Sequence, residues 1–275
     1  MLDIDHLTEA DLPGMLALSA EAGWNQTADD WRLFLDLGRV VGIRDGDGRP
    51  VASAAIMPYG RFAWISMVLV TAPMRRHGLG TKLLNHCITA LRWDGIVPLL
   101  DATAAGEKVY LPLGFRPLGG ITRWQGQGGP DGGSFGAVLP LEESQLPAAV
   151  ALDAAVFGAP RASLLRSFRA RAPHLALRLK EHGIVVARPG RLATQIGPLA
   201  ASDEGAALAL LRAALARATG PVFLDVPDRW TGLAAELQRR GFTIQRSFRR
   251  MALADRPPVL GDAARGFVIA GPEFG

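Results

Sequence analysis

One segment restricts this chain more than any other. An apolar run, Ile65–Val70, passes through a short polar stretch ending in Arg75-Arg76-His77-Gly78-Leu79-Gly80. A helical pattern begins at once, with Leu79, Leu83, Leu84, Cys87, Ile88 and Leu91 recurring at spacings of three and four. The order is strand, glycine loop, helix. First-turn N–H groups of a helix lack internal partners, and the helix dipole adds to their attraction for negative charge, so such a turn suits an anion. Gly78 and Gly80 carry no Cβ and admit a ligand close to the backbone. Arg75 and Arg76 place guanidinium charge beside it, in a form matched to phosphate oxygens. The spacing is neither the three-glycine dinucleotide pattern nor a P-loop, since Thr81 and Lys82 follow Gly80 in the reverse order. Two glycines before a helix also serve tight packing, so the short motif does not decide by itself.

Composition limits the alternatives. The chain has 275 residues, room for two domains, and 49% are hydrophobic, enough for extensive cores. Thirty basic residues oppose 26 acids, a net charge of only +4, and no basic cluster alternates with aromatics, so no nucleic-acid partner is expected. The single cysteine, Cys87, lies on the apolar face of the helix and reads as a small buried hydrophobe. With no partner for an internal disulfide, the chain fits a reducing, cytoplasmic setting. The start MLDIDHLTEAD lacks the regions of a signal peptide, and no run of 18 uncharged apolar residues marks a membrane span. No metal site is expected.

Read in order, residues 2–7 suggest a first strand, Thr8 an N-cap for a helix through Ala22, and 28–37 a second helix. Strands are expected over 40–44 and 50–58, joined by Asp45-Gly46-Asp47-Gly48, then over 62–70. A helix over 78–93, a strand 97–100 closed by Asp101, a short helix 106–113 and a return strand 115–124 complete the first half. The glycine-rich run 126–136 reads as a connector, giving domains 1–126 and 138–275 with a linker at 127–137. Beyond it come helices at 146–156 and 162–171, strands at 175–181, 184–188 and 191–196, and a long helix at 203–218. A strand at 222–225, a helix at 230–240 and a final strand at 242–253 follow. Pro98-Leu99-Leu100-Asp101 with Gly114-Phe115 is echoed by Val222-Phe223-Leu224-Asp225 with Gly241-Phe242, so two copies of one α/β unit are predicted. Where the first copy has its arginine–glycine loop, the second has Pro198–Gly205, with no arginine and with acids at the helix start that would repel a pyrophosphate.

Arg75-x-x-Gly78-x-Gly80, followed about 30 residues later by Tyr110-x-x-x-Gly114-Phe115, resembles the coenzyme A loop and the tyrosine segment of the GCN5-related N-acetyltransferases. The tandem arrangement, the 100–106 strand end and the Gly-Pro-Glu-Phe-Gly terminus look like a bacterial subgroup that pairs an acetyltransferase domain with a divergent second copy. The resemblance implies two mixed-sheet α/β domains of that fold, the second lacking the pyrophosphate loop. It implies acetyl-CoA as cofactor, with Arg75, Arg76, His77, Gly78, Leu79, Gly80 and Thr81 at the pyrophosphate and Met67, Val68, Leu69 and Val70 along the pantetheine arm. The acceptor would be a primary amine of a small molecule, met by Glu21, Trp24, Asn25, Tyr59, Asp101, Thr103 and Glu107. A monomer or homodimer is expected.

Tyr110 matches the family's general acid, placed to protonate the departing sulfur. Many relatives carry a glutamate base on the strand before the glycine loop. Residues 65–70 offer no acid, which leaves Asp101, at a strand's carboxyl end, as the best-placed carboxylate; Glu21, His77 or a water chain are the alternatives. Thr103 stands where the family has an asparagine. A coenzyme A-binding module without catalysis, a longer acyl donor, and a protein or peptide amine remain open readings of the same residues.

Overall fold

The computed structural model describes residues 3–130, 137–255, 258 and 260–275. The chain forms two compact units. The first is Met1–Pro117 with Met251–Pro257 and Phe274; the second is Leu118–Arg250 with Pro258–Glu273 and Gly275.

In the first unit, β1 (Asp5–His6) leads to α1 (Leu12–Glu21) and α2 (Ala28–Leu37). A Thr-x-x-Asp pair marks each helical start, and the Thr8 and Thr27 backbone N–H groups donate to Asp11 and Asp30 at 2.8 and 2.9 Å, satisfying groups a helix start would orphan. The expected first helix is divided, because a 3-10 turn over Glu9–Asp11 comes before α1. Strands β2 (Arg39–Arg44) and β3 (Pro50–Tyr59) form the predicted hairpin, with Asp45 Oδ1 accepting from the N–H of Asp47 and Arg49 across the turn. Then come β4 (Phe62–Val70), α3 (Leu79–Trp93), β5 (Val97–Thr103) and α4 (Ala104–Tyr110). The sheet order is β1-β2-β3-β4-β5, antiparallel up to β4, with β5 parallel to β4. Helix α3 covers one face through Leu83, Leu84, Cys87 and Leu91, packed on Ile43, Ala54, Ile65 and Leu100. At roughly 1.5–3 kcal/mol for each large aliphatic side chain removed from water, this face is what fixes α3 to the sheet. Phe115 and Met251 join the same core, and the Leu253 N–H donates to Pro98 O at 2.9 Å.

Two irregularities of β4 shape everything that follows. Ala55 pairs with Ser66, but Ser53 pairs with Leu69, so Ala54 alone opposes both Met67 and Val68. Met67 takes φ +52°, and Ser53 Oγ donates to its carbonyl at 2.9 Å. Such a bulge bends its strand. The pairing of β4 with β5 runs Phe62–Val97, Ala63–Pro98 and Trp64–Leu99 and goes no further, although both strands continue. The two strands therefore part at their carboxyl ends.

The second unit contains β6 (Arg116–Gly128), β7 (Leu139–Pro140), α5 (Leu146–Phe157), α6 (Ala162–Arg171), β8 (Leu177–Leu179) and β9 (Gly183–Arg188). It continues with β10 (Thr194–Ala201), α7 (Glu204–Arg217), β11 (Gly220–Pro227), α8 (Thr231–Arg239), β12 (Thr243–Ala252) and β13 (Gly266–Val268). Its order is β12-β6-β11-β10-β9-β8-β7. The predicted echo is present: β10 and β11 are parallel, joined by α7, as β4 and β5 are by α3. Gly126–Gly128, expected to begin a linker, instead pair with β11 along Val222, Pro221 and Gly220. These glycines are packing positions. A Cβ on Gly126 would lie 2.5 Å from the Phe242 ring, and one on Gly128 would lie 2.7 Å from the Ala218 methyl. Residues 131–136, the rest of that run, lie outside the described residues, as does Leu2 of the expected first strand.

Beyond Ile196–Leu224, β10 leaves β11 just as β4 leaves β5. Here the chain itself enters the gap. Strand β13 pairs antiparallel with β10 through Leu199–Val268 and Ala200–Gly266, and the Ile269 N–H donates to Asp225 O at 3.0 Å. Buried arginines hold the segment that follows. Arg188 donates to Ala270 O at 2.6 Å and to Glu273 at 2.5 Å; Arg161 donates to Gly275 O at 2.8 Å and pairs with Asp153.

Candidate active site

The parting of β4 and β5 opens onto a cleft of about 300 Å³. Val68 and Val70 of β4 form one wall, Met74, Arg75 and Arg76 the approach, and Gly78–Thr81 the start of α3. Val109 and Tyr110 of α4 close the opposite side. The two motifs that the sequence holds some 30 residues apart thus meet in one place. Gly78 is the N-cap of α3 at φ +75°, a left-handed conformation that favours glycine, and no side chain caps the first turn. A Cβ on Gly80 would point toward Val70 and Val68 at 3.7 and 3.9 Å, into the cleft and against nothing closer. Backbone donors at a bare helix start, a glycine that leaves room before them, and strand ends without lateral pairing fit an extended, anionic group such as coenzyme A.

Tyr110 packs against the α3 core and lies at 6.0 Å and 50° to Phe115. Its ring returns over the first turn of α4, since a Cβ on Gly106 would meet it at 2.9 Å. Burial pushes the phenol pKa above its ordinary value, so the hydroxyl keeps its proton through neutral pH. Cys87 is unsuited to nucleophilic work: burial pushes its thiol up to about 12.

The remaining candidates divide. In β5 the side chains of Leu100 and Ala102 enter the α3 core, so Asp101 and Thr103, both half-buried, take the other face of the sheet. The hydroxyl of Thr103 caps α4, accepting from the Gly106 N–H at 3.2 Å. Glu107 is half-buried on the same short helix. Trp24, half-buried, and Asn25, buried, follow α1 in a tight closure: Gly23 has φ +69°, and the Trp24 N–H returns to Ser19 O at 2.9 Å. Met67 and Leu69 are buried and do not line the cleft; His77 is exposed and does not line it either.

For three of the candidate residues the structure shows internal partners that the sequence did not display. Tyr59 is buried, and its hydroxyl donates to Phe274 O at 2.8 Å, an internal tie. Glu21 accepts from Thr71 Oγ1 and the Ala72 N–H, both at 2.6 Å, and from Arg75 at 3.0 Å. Arg75 spends its Nε on Val70 O at 3.0 Å, so its guanidinium serves the loop from within. For Glu21 and Arg75 the loop packed against the end of α1 supplies partners that local sequence does not display. Met74 and Val109, missed in the sequence, line the cleft because the loop and α4 curl toward it. A second cavity, about 520 Å³, lies along α1 and the β2–β3 hairpin, but its acids Asp11, Glu21 and Asp45 are committed to Arg44, the 71–75 loop and their own turn.

In the second unit the corresponding helix start is capped by its own acid. Asp203 accepts from the Ala206 N–H and from Ser202 Oγ, both at 2.9 Å. Asp225, the counterpart of Asp101, is fully buried and receives Arg123 at 2.8 and 2.7 Å and Gln195 at 2.9 Å.

Comparison with known proteins gives the family of both halves of the chain. Residues 7–115 match the Acetyltransferase (GNAT) family, and residues 149–261 match a second description, Acetyltransferase (GNAT) domain. The uncharacterized N-acetyltransferase YitH of Bacillus subtilis (strain 168) is 26% identical over 263 residues, covering 92% of this chain and 89% of that protein. A crystal structure from Pyrococcus horikoshii has a TM-score of 0.85 at 19% identity, covering 100% of this chain and 96% of that one. A tandem GNAT protein from the clavulanic acid biosynthesis pathway has a TM-score of 0.66 at 15% identity, covering 94% and 100%. These two structural likenesses concern the fold.

Proposed function

We propose that this protein, which belongs to the GCN5-related N-acetyltransferases and carries two such domains in tandem, moves an acetyl group from acetyl-CoA to a primary amine of a small molecule. One observation carries the reading: the cleft at the β4–β5 parting joins a bare, glycine-opened helix start to a tyrosine that keeps its proton. Acetyl-CoA bound there would supply the acetyl thioester and a sulfur leaving group. The N–H groups at the start of α3 and the charge of Arg76 would hold its pyrophosphate. Backbone groups of Met67–Val70, beyond the last β4–β5 pair, would receive the pantetheine arm and orient the carbonyl. Tyr110 would deliver its hydroxyl proton to the leaving sulfur. Asp101, on the other face of β5, is assigned to accept the amine's proton or to hold the ammonium before transfer, with Thr103 and Glu107 nearby in sequence on α4's start.

The second unit is read as not using coenzyme A. Asp203 covers the helix start, and β13 takes the strand gap. Calorimetric titration of acetyl-CoA tests both halves of the proposal. Wild-type protein should bind close to one equivalent per chain, and Gly80→Asp, which sets a carboxylate where phosphate would lie, should bind none. Two equivalents would overturn the reading of the second unit; no binding by the wild type would overturn the reading of the first.

A further inference from the structure

Glu21 is the last residue of α1, where a carboxylate faces the negative end of the helix dipole and is ordinarily disfavoured. Its surroundings compensate for that position. Three donors converge on it from the segment after β4: the Thr71 hydroxyl at 2.6 Å, the Ala72 N–H at 2.6 Å and an Arg75 Nη2 at 3.0 Å. Arg75 then donates Nε to Val70 O at 3.0 Å. Both ends of the 71–75 segment are thereby tied to one carboxylate, and the backbone that carries it ends in the closure of α1 at Gly23. Arg76 differs. It takes φ +65°, lines the cleft and makes no hydrogen bond among the described residues.

We infer that Glu21 is a positioning residue for the coenzyme A loop, acting through Arg75 and not by contact with either substrate. The inference rests on reading the loop as the coenzyme A site. Glu21 anchors the strand-to-loop hinge to α1, so the amides of residues 78–81 are presented at a fixed distance from the end of β4. Arg75 belongs to this anchor. Arg76 is the arginine left to meet phosphate.

A double-mutant cycle read by titration with free coenzyme A tests it. Glu21→Ala and Arg75→Ala should each weaken binding about tenfold, the worth of one charge-assisted hydrogen bond. The double variant should be no weaker than the worse single one. Glu21→Gln, which keeps one acceptor oxygen for the Ala72 N–H and an amide NH2 that the Thr71 hydroxyl can accept from, should recover part of the loss. Arg76→Ala should weaken binding too, but its effect should multiply with that of Glu21→Ala. Independent effects of Glu21 and Arg75, or unchanged coenzyme A affinity with a raised KM for an amine acceptor, would overturn the assignment and return Glu21 to the acceptor side. Failure of the wild type to bind coenzyme A would instead defeat the cofactor reading on which it stands.

Discussion

Tyr110 carries the most exposed consequence of the chemistry assigned here. Tyr110→Phe removes one oxygen and leaves the ring packed against Phe115, so coenzyme A affinity should hold while kcat falls about 100-fold, the scale of a lost general acid. The pH profile checks the role by its sign. Burial raises the phenol pKa, so the proton is present through neutral pH and is lost only above the ordinary tyrosine range; wild-type kcat should decline on that alkaline side, and the phenylalanine variant should lose that limb. Ser66 offers a contrast. Its Oγ is buried and makes no hydrogen bond among the described residues, so Ser66→Ala should leave thermal stability unchanged or raise it, whereas removal of a bonded buried hydroxyl would lower it. At this scale the sequence was partly legible. Gly78, Gly80 and Tyr110 stand out in the sequence, the glycines before a helix start and the tyrosine four residues ahead of Gly114-Phe115, and folding brings all three to one cleft. Glu21 and Tyr59 do not stand out, because what decides their work is a donor or acceptor that only folding brings near: Thr71 for one, the Phe274 carbonyl for the other.

Among elements, legibility followed periodicity. Helix α3 repeats its leucines at helical spacing and lies within one residue of expectation; α2 coincides with it. Strand β10 was expected to end at Ile196 but continues to Ala201. Pro198 there suggests a loop, yet the ladder resumes past a register shift, since β9 pairs on through Leu199–Val185 and β13 supplies the other side. Strand β13 was not foreseen at all. Three residues after a Pro-Asp-Gly-rich stretch carry no periodic signal, and their pairing partner lies far away in sequence. Its energetic weight can be checked: Ile269→Pro deletes the N–H donated to Asp225 O and should destabilise the protein by about 2 kcal/mol or more, read as a lowered denaturant midpoint. Replacing Glu273 by Ala should cost more, roughly 3–5 kcal/mol, because it strands the buried Arg188 guanidinium.

For the molecule as a whole, the repeat supplies the frame of comparison. Each copy has two parallel strands that pair over three residues and then separate, and each has a long helix returning between them. In one copy the separation leads to an open cleft; in the other it is filled by β13. Duplication was readable from Leu-Asp and Gly-Phe recurring in step. Glycine content pointed to a linker near 127–137; the compact units divide after Pro117, and Gly126 and Gly128 are small for the sake of Phe242 and Ala218. A segment carried on the same chain as the gap it fills behaves as a ligand at an effective concentration on the order of millimolar or higher. A free molecule would have to outcompete that tether at every encounter. With coenzyme A bound as proposed, the second gap stays filled by its own chain and occupancy would vary with metabolite supply only in the first.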